Sequence, residues 1–454
     1  MSNTIKWMPK GSLGAKAILV CALTLVMVIP ALFVAWLLSD RSDRAEDVYR
    51  EVGQLHGGEQ RVLGPVLAIP YETKSVDTVQ KGYVYGFAQS GSFEAQTQTS
   101  TLKRSIFEVP VYKADIEMLA TFDLEALRVA MSDDLSMAVD WSRAELILGV
   151  HDLRGVRSEP TIQINGQVLD LKPVGGGFPV DTRAAPRPMP HGGSWSGGHA
   201  LTWSVMAAAL PSVDVDKLQV SGRVVLNGVE SISLAPFAQT TTASLSGDWP
   251  HPSFQGGFLP TTRQIDDHGF KADWSVPFVA RGLSGTVTDQ QINVLDGRDM
   301  AVAFVWADNP YQSVGRALKY AIVFVGLVFL TFFLFEALGK RRVHAAQYVL
   351  IGLAQTVFYL LLLSIAEFWG FDLAFAVAAT ATVGLISAYA GWTFKDRNRG
   401  LTALVVFSGL YALIYILMRL EDYALLVGAV VTFLAIASAM VLTRNLDWYG
   451  DDNG

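Results

Sequence analysis

The chain has 454 residues, a net charge of −7 at pH 7, 51% hydrophobic residues and only 17% charged ones. Mean hydropathy is +0.32, and the apolar excess is concentrated near the start and in a block from Tyr320 to Leu442. That distribution excludes an ordinary soluble protein and a disordered chain, and implies a membrane protein with one large polar insertion.

In chain order, residues 1–16 form a cytoplasmic N-terminus carrying Lys6, Lys10 and Lys16. Residues 17–39 are a long apolar run, beyond the roughly 18 residues needed to span. It lacks the short core and small-residue cleavage site of a removable signal. It therefore reads as a signal anchor, with Pro30 as its expected kink. Cys21, the chain's single cysteine, lies in it. No intrachain disulfide, Cys-based metal site or thiol dyad can form.

Residues 40–314 carry 22 Lys and Arg against 33 Asp and Glu, while the rest of the chain is net basic. An acidic domain of this kind argues against nucleic acid as partner. Its pattern is largely period two, in runs such as "TSTLKRSIFEVPVY" and "KLQVSGRVVLNGV". Asn165-Gly166 and Asn227-Gly228 read as hairpin turns. The stretch "DIEMLATFDLEALR" fits either helix or strand. The expectation is a β-rich domain of sandwich or barrel-like sheets, in one unit or two. A long Gly/Pro-rich loop lies near Gly175 to Gly198.

Five further spans follow, over residues 315–338, 345–366, 373–394, 401–418 and 423–442, with 443–454 as a C-terminal tail. Parity puts the loops bearing Lys340, Arg341, Arg342, Lys395, Arg397 and Arg399 in the cytoplasm, as positive-inside asymmetry requires, and both termini with them. The β domain then lies on the outer side. The fourth span is rich in small residues, including Ala374, Ala378, Gly384, Ser387 and Ala388, and is expected at the bundle centre.

The chemistry-bearing residues give little. His191 and His199 flank a Gly/Ser/Trp-rich loop, and no His-x-His pair or zinc-protease motif occurs. Ser194 and Ser196 miss the nucleophile-elbow register. Ser100-Thr101-Leu102-Lys103 has the spacing of penicillin-interacting enzymes, but it lies in a strand-like run and no Lys-Thr-Gly follows. No catalytic residue, cofactor site or metal site is expected. Charges at span ends stand out: Glu336, Glu367, Asp372, Arg419, Glu421 and Asp422. They either rest at headgroup depth, with Arg419 paired to Glu421 or Asp422, or line a polar pathway. In "GDWPHPSFQGGFLP", Pro250 and Pro252 hold Trp249 and His251 extended along a sheet edge. Trp249, Phe254 and Phe258 would pack the segment down.

Several strings together resemble one family. They are "GPVLAIPY", "DWPHPSFQGGFLP" followed by Arg263, Gly269-Phe270 and Trp274, then "YQSVGRALKYAIVFVGLVFLTFFLFE", "QYVLIGLAQTVFYLLLLSIAE" and "RLEDYALLVGAVVTFLAIASAMVLTRNLDWY". In order and topology they resemble the CreD family of Gram-negative inner-membrane proteins, the cell envelope integrity proteins. The Gly/Pro-rich loop departs from that pattern. The resemblance implies an inner-membrane protein of an envelope-stress regulon, with no catalytic residues to carry over. It also implies that the segment from Trp249 to Phe258, with Pro250, His251, Pro252 and Phe254, is a family-signature ridge. The first functional reading is non-enzymatic binding of an envelope component by the outer domain. A transporter using the span-end charges and an envelope lipid or peptidoglycan hydrolase are the alternatives. Expected partners are membrane lipid and an envelope protein or component of unknown kind, with the oligomeric state open.

Overall fold

The computed structural model describes residues 13–74, 79–132, 137–174, 203–211, 215–288, 297–305, 310–338, 343–419 and 424–444. The chain divides into two compact units, Met1–Ala45 with Asp308–Gly454, and Glu46–Ala307. The inserted unit is thus slightly shorter than residues 40–314.

The first apolar run forms helix α1 (Leu13–Val26) and enters α2 (Val28–His56) across a break at Met27. Pro30 explains the break. It has no N–H for the carbonyl four residues earlier, Val26, and its ring crowds that carbonyl. Met27 N still donates to Leu23 O at 3.0 Å, so the run continues as one 44-residue helix, apolar up to Leu38 and charged from Asp40 onward.

Strands follow in chain order: β1 (Gln60–Lys74), β2 (Val79–Gly86), β3 (Ala88–Arg104) and β4 (Phe107–Asp123). Helix α3 (Leu124–Ser132) continues directly from β4. Next come β5 (Met137–Val139), β6 (Glu145–Val150), β7 (Thr161–Ile164), β8 (Gln167–Leu169) and β9 (Lys172–Pro173). Then come β10 (Ser204–Ala209), β11 (Lys217–Val229), β12 (Ser231–Ala235), β13 (Ala238–Gly247) and β14 (Pro252–Gly256). The unit closes with β15 (Thr262–Asp266), β16 (Gly269–Val276), α4 (Phe278–Arg281), β17 (Thr286–Thr288) and β18 (Met300–Phe304).

These strands build two sheets. One runs β14-β18-β12-β1-β6-β10-β9, with β2 and β5 also on β1 and β17 on β2. The other runs β15-β16-β13-β3-β4-β11-β7-β8. Buried side chains from both sheets share one apolar core, including Leu63, Leu67, Phe93, Ile116, Val224 and Val302. The arrangement is a sandwich, with core-facing and outward residues alternating along β3, β4 and β11. In β1 the pairing with β6 shifts register between Leu63 and Val66. Gly64 sits at that bulge because a side chain there would run into the Phe237 ring.

The ambiguous stretch after Lys113 splits, its first part in β4 and its second in α3. Asn165-Gly166 forms the expected β7–β8 hairpin, with φ +50° and +84°. Asn227-Gly228 does not turn. Both residues lie inside β11, opposite Lys113 and Tyr112 of β4. Gly228 is required because a Cβ would overlap the Tyr112 ring. At Glu230, where φ is +65°, the chain instead passes from β11 of one sheet to β12 of the other.

The C-terminal helices are α5 (Pro310–Lys319), α6 (Ala321–Ala337), α7 (Ala345–Trp369), α8 (Phe371–Phe394), α9 (Arg397–Arg419) and α10 (Ala424–Thr443). The expected second span is broken, with α5 and α6 meeting at 51°. Five helices among the described residues are long and apolar enough to cross a membrane, and the bent pair makes six. His344 caps α7 in a capping box: Ala346 N donates to its Nδ1 at 3.2 Å and His344 N donates to Gln347 Oε1 at 2.8 Å. Aromatic rings dominate the packing. Phe332 of α6 stacks on Phe407 of α9, and Phe358 of α7 meets Tyr411 of α9 edge-on. Helix α8 packs between α7 and α9. Only part of its small residues face inward. Ala374, Ala378 and Ser387 are buried, while Gly384 and Ala388 face outward.

Candidate functional site

The span charges are brought into three polar clusters at helix ends. At the α6 end, Glu336 is buried and accepts from Lys16 Nζ. Val343 N donates to Glu336 Oε1 at 3.0 Å, and the Tyr348 hydroxyl to Oε2 at 3.1 Å. Lys16 also donates to Val343 O at 2.6 Å. A carboxylate buried in an apolar bundle needs this degree of pairing to offset its desolvation. Lys16, which the sequence offers as a flanking charge, is its counter-ion. Near the α7 C-terminus, Glu367 accepts from the Tyr311 hydroxyl at 3.2 Å, with Arg41 Nε at 3.9 Å. At the start of α8, Asp372 accepts from Arg419 and, at 3.0 Å, from the Tyr415 hydroxyl. Arg419 therefore pairs with Asp372, the acid on the neighbouring helix. Glu421 and Asp422 lie outside the described residues.

A second polar feature lies in the bundle interior. Gln355 and Tyr359 of α7, Ser387 of α8 and Tyr411 of α9 are all buried. Their side-chain polar atoms have no hydrogen-bond partner among the described residues. The Tyr411 hydroxyl faces Thr382 and Tyr359, outside hydrogen-bond geometry to either. Tyr411 stands level with Thr382 of α8, whereas Ser387 lies five residues further along, near Gly400 of α9, about 7.5 Å away along the helix. Their helical spacing resembles that of ordinary core residues, so no local pattern marks them.

In the β unit, the ridge takes the edge position expected of it. β14 is the outer strand of its sheet and begins at Pro252. Trp249 is buried and donates Nε1 to Val305 O at 3.0 Å. Phe254 meets Phe270 and Trp274 edge-on, and Phe258 O accepts from Trp274 Nε1 at 3.0 Å. His251 is exposed, and Pro250 is half-buried. Asp248 accepts from Thr99 N and Oγ1 at 2.8 and 2.7 Å, both at Oδ1. Among the described residues no three His, Cys, Asp or Glu side chains converge on a metal position. Ser100 and Lys103 lie exposed in β3, and Lys103 pairs with Glu108 at 2.6 Å. His191, His199, Ser194 and Ser196 lie outside the described residues.

Three features of this unit escape sequence reading. Arg61 and Asp299 form a buried two-point ion pair at 2.7 and 2.8 Å, with Arg61 4.5 Å from the Trp203 ring centre. Glu59 and Glu230 share a hydrogen bond in a half-buried position. Burial, then the charge and hydrogen bond of Glu59, then Glu46, push the Glu230 carboxyl up to about 7. Burial likewise raises Glu59. Third, an open cleft of about 810 Å³ lies where β7–β8 of one sheet nears β9–β10 of the other. Val156, Val168, Leu169, Leu171 and Met206 give it an apolar lining, and Arg157, Glu159 and Asp170 supply charge.

A bundle of apolar spans with ion-paired ends and an inserted β-sandwich defines an integral membrane protein with a large extramembrane domain. The chain belongs to the CreD family: residues 12–449 match the family described as inner membrane protein CreD. The inner membrane protein CreD of Escherichia coli strain K12 is 28% identical over 438 residues, covering 94% of this chain and 91% of that protein. A solved structure of yeast LTA4 hydrolase in complex with bestatin aligns over 80% of this chain and 67% of that one. Its identity is 8% and its TM-score 0.19, so it carries no argument.

Proposed function

We propose that this inner-membrane protein supports envelope integrity without catalysis, by binding another envelope component through its β unit. The β unit faces the periplasm and both termini face the cytoplasm. The charge asymmetry of the loops supports that orientation, with basic residues at Lys395, Arg397 and Arg399 on one side and Arg419 on the other. The observation that carries the binding reading is the cleft beside β8. Its volume falls in the range of ligand sites, roughly 300–1,000 Å³, and it joins an apolar lining to a few charges.

The test places a photo-crosslinking residue at Val168 in intact cells and asks whether V168D still complements a null strain. Crosslinks to one envelope species, with loss of complementation at normal protein abundance, are expected. An abundant V168D protein that complements fully would sink the reading. For orientation, a cysteine at exposed Gln264 should react with an impermeant maleimide from the periplasmic side.

A second reading, passage of a small polar solute through the helical unit, is favoured by the buried polar groups of Gln355, Tyr359, Ser387 and Tyr411, spread along the bundle interior. Unpaired polar groups in a bundle core are expensive and usually serve a function. Gln355→Leu and Tyr411→Phe separate the readings. Both leave complementation intact if binding by the β unit is the function, and abolish it if these groups conduct solute.

A further inference from the structure

Arg281, the last residue of α4, is fully buried. Its guanidinium carbon stands 3.8 Å from the centre of the buried Phe87 ring. The ring covers one face of the guanidinium, and the in-plane N–H fork points elsewhere. Nε, Nη1 and Nη2 find no hydrogen-bond partner among the described residues. The charge that acts on the group is Arg298, of the same sign. Burial first, and Arg298 beside it, push its pKa down to about 10, so it stays protonated at neutral pH.

Arg298 is held close by the backbone. Its Nη1 donates to Arg281 O. Its guanidinium lies against Gly282, where a Cβ would come within 2.5 Å of Nη1 and where φ is +66°. Gly282 is exposed and Arg298 half-buried, so the edge of this arginine pair is open to solvent while its inner member is not. An uncompensated buried guanidinium destabilises a fold, and arginine does not relieve it by deprotonation at neutral pH. The like charge of half-buried Arg298 beside it adds to that cost, and an anion would relieve it. A planar fork with one face on an aromatic ring suits a group that accepts two parallel N–H bonds.

We infer that Arg281 and Arg298 form a binding site for an oxyanion group, a carboxylate or a phosphate, entered beside Gly282. Arg281 supplies the buried fork, and Arg298 the half-buried second donor. Phe87 fixes the plane, and Gly282 leaves room for Arg298 to lie flat. The site is separate from the cleft beside β8 and does not depend on it.

The test uses the full-length protein in detergent, followed by tryptophan fluorescence on heating. Sodium phosphate and sodium acetate are titrated separately against sodium chloride at matched ionic strength. A saturable rise in melting temperature above the chloride baseline is expected with phosphate, acetate or both, and the stronger of the two identifies the ligand class. Arg281→Gln and Arg298→Gln should each abolish the increment. Arg298 is the decisive position if the Arg281 variant does not fold, because it is half-buried. No increment over chloride with either anion, or an Arg298→Gln protein that responds as the parent does, overturns the site.

Discussion

Glu230→Gln should make the β unit more stable at pH 8 and change little at pH 4. The folded-state pKa of Glu230 is about 7, against an ordinary value of 4.5. The folded protein therefore holds this proton more tightly than the unfolded chain does. That contribution is fully present below about 4.5 and is lost as pH rises through about 7. At roughly 1.36 kcal/mol per pKa unit the difference is about 3 kcal/mol. This is a ceiling, since the half-buried pair keeps some solvent. For a unit of this size it corresponds to a melting shift of roughly 5–10 °C. Gln keeps the shape and can donate to Glu59 without titrating. The groups acting on the position are Glu59 and Glu46, with Tyr112 near Glu59. Thermal unfolding of the full-length protein between pH 4 and 8 is the assay. If the parent and Glu230→Gln show parallel pH profiles, the shared-proton account is wrong.

Arg61→Ala removes the two-point partner of buried Asp299 and should lower stability by about 3–5 kcal/mol, read by chemical denaturation. Glu336→Ala leaves Lys16 uncompensated and should reduce thermal stability in detergent. The double variant Lys16→Met with Glu336→Met should recover most of that loss, and strictly additive losses would count against the pair. Gly228→Ala forces a methyl group into the Tyr112 ring and should destabilise by about 1–3 kcal/mol on thermal unfolding, whereas Gly166→Ala strains only an exposed hairpin.

The spans were legible because lipid imposes a length and an apolar composition that local sequence must satisfy. The edge position of β14 was legible because Pro252 cannot donate to a ladder. The two Asn-Gly pairs show where local reading stops. Both carry the same turn chemistry, yet Asn227-Gly228 stays in a strand because a ring from β4 occupies the space a side chain would need. The polar clusters were legible only in part. Glu336 stands out as a charge in an apolar run, but its partner Lys16 is 320 positions away. Nothing near Arg419 in sequence favours Asp372 over Glu421. Arg281, Glu230 and Gln355 resemble routine surface or core residues until their neighbours are known, because burial and pairing are tertiary properties.

The bend at Tyr320 bears on the bilayer itself. With α5 turned away by 51°, α6 keeps 17 residues, or about 25 Å of helix at 1.5 Å per residue. Helices α7 and α8, with 25 and 24 residues, reach about 36–37 Å. Against a hydrocarbon layer of about 30 Å, α6 stands at the short limit of a spanning helix and α7 and α8 at the long limit. Tilt accommodates the long helices, whereas α6 has no length to spare for it. A thicker bilayer would therefore strain α6 before its neighbours.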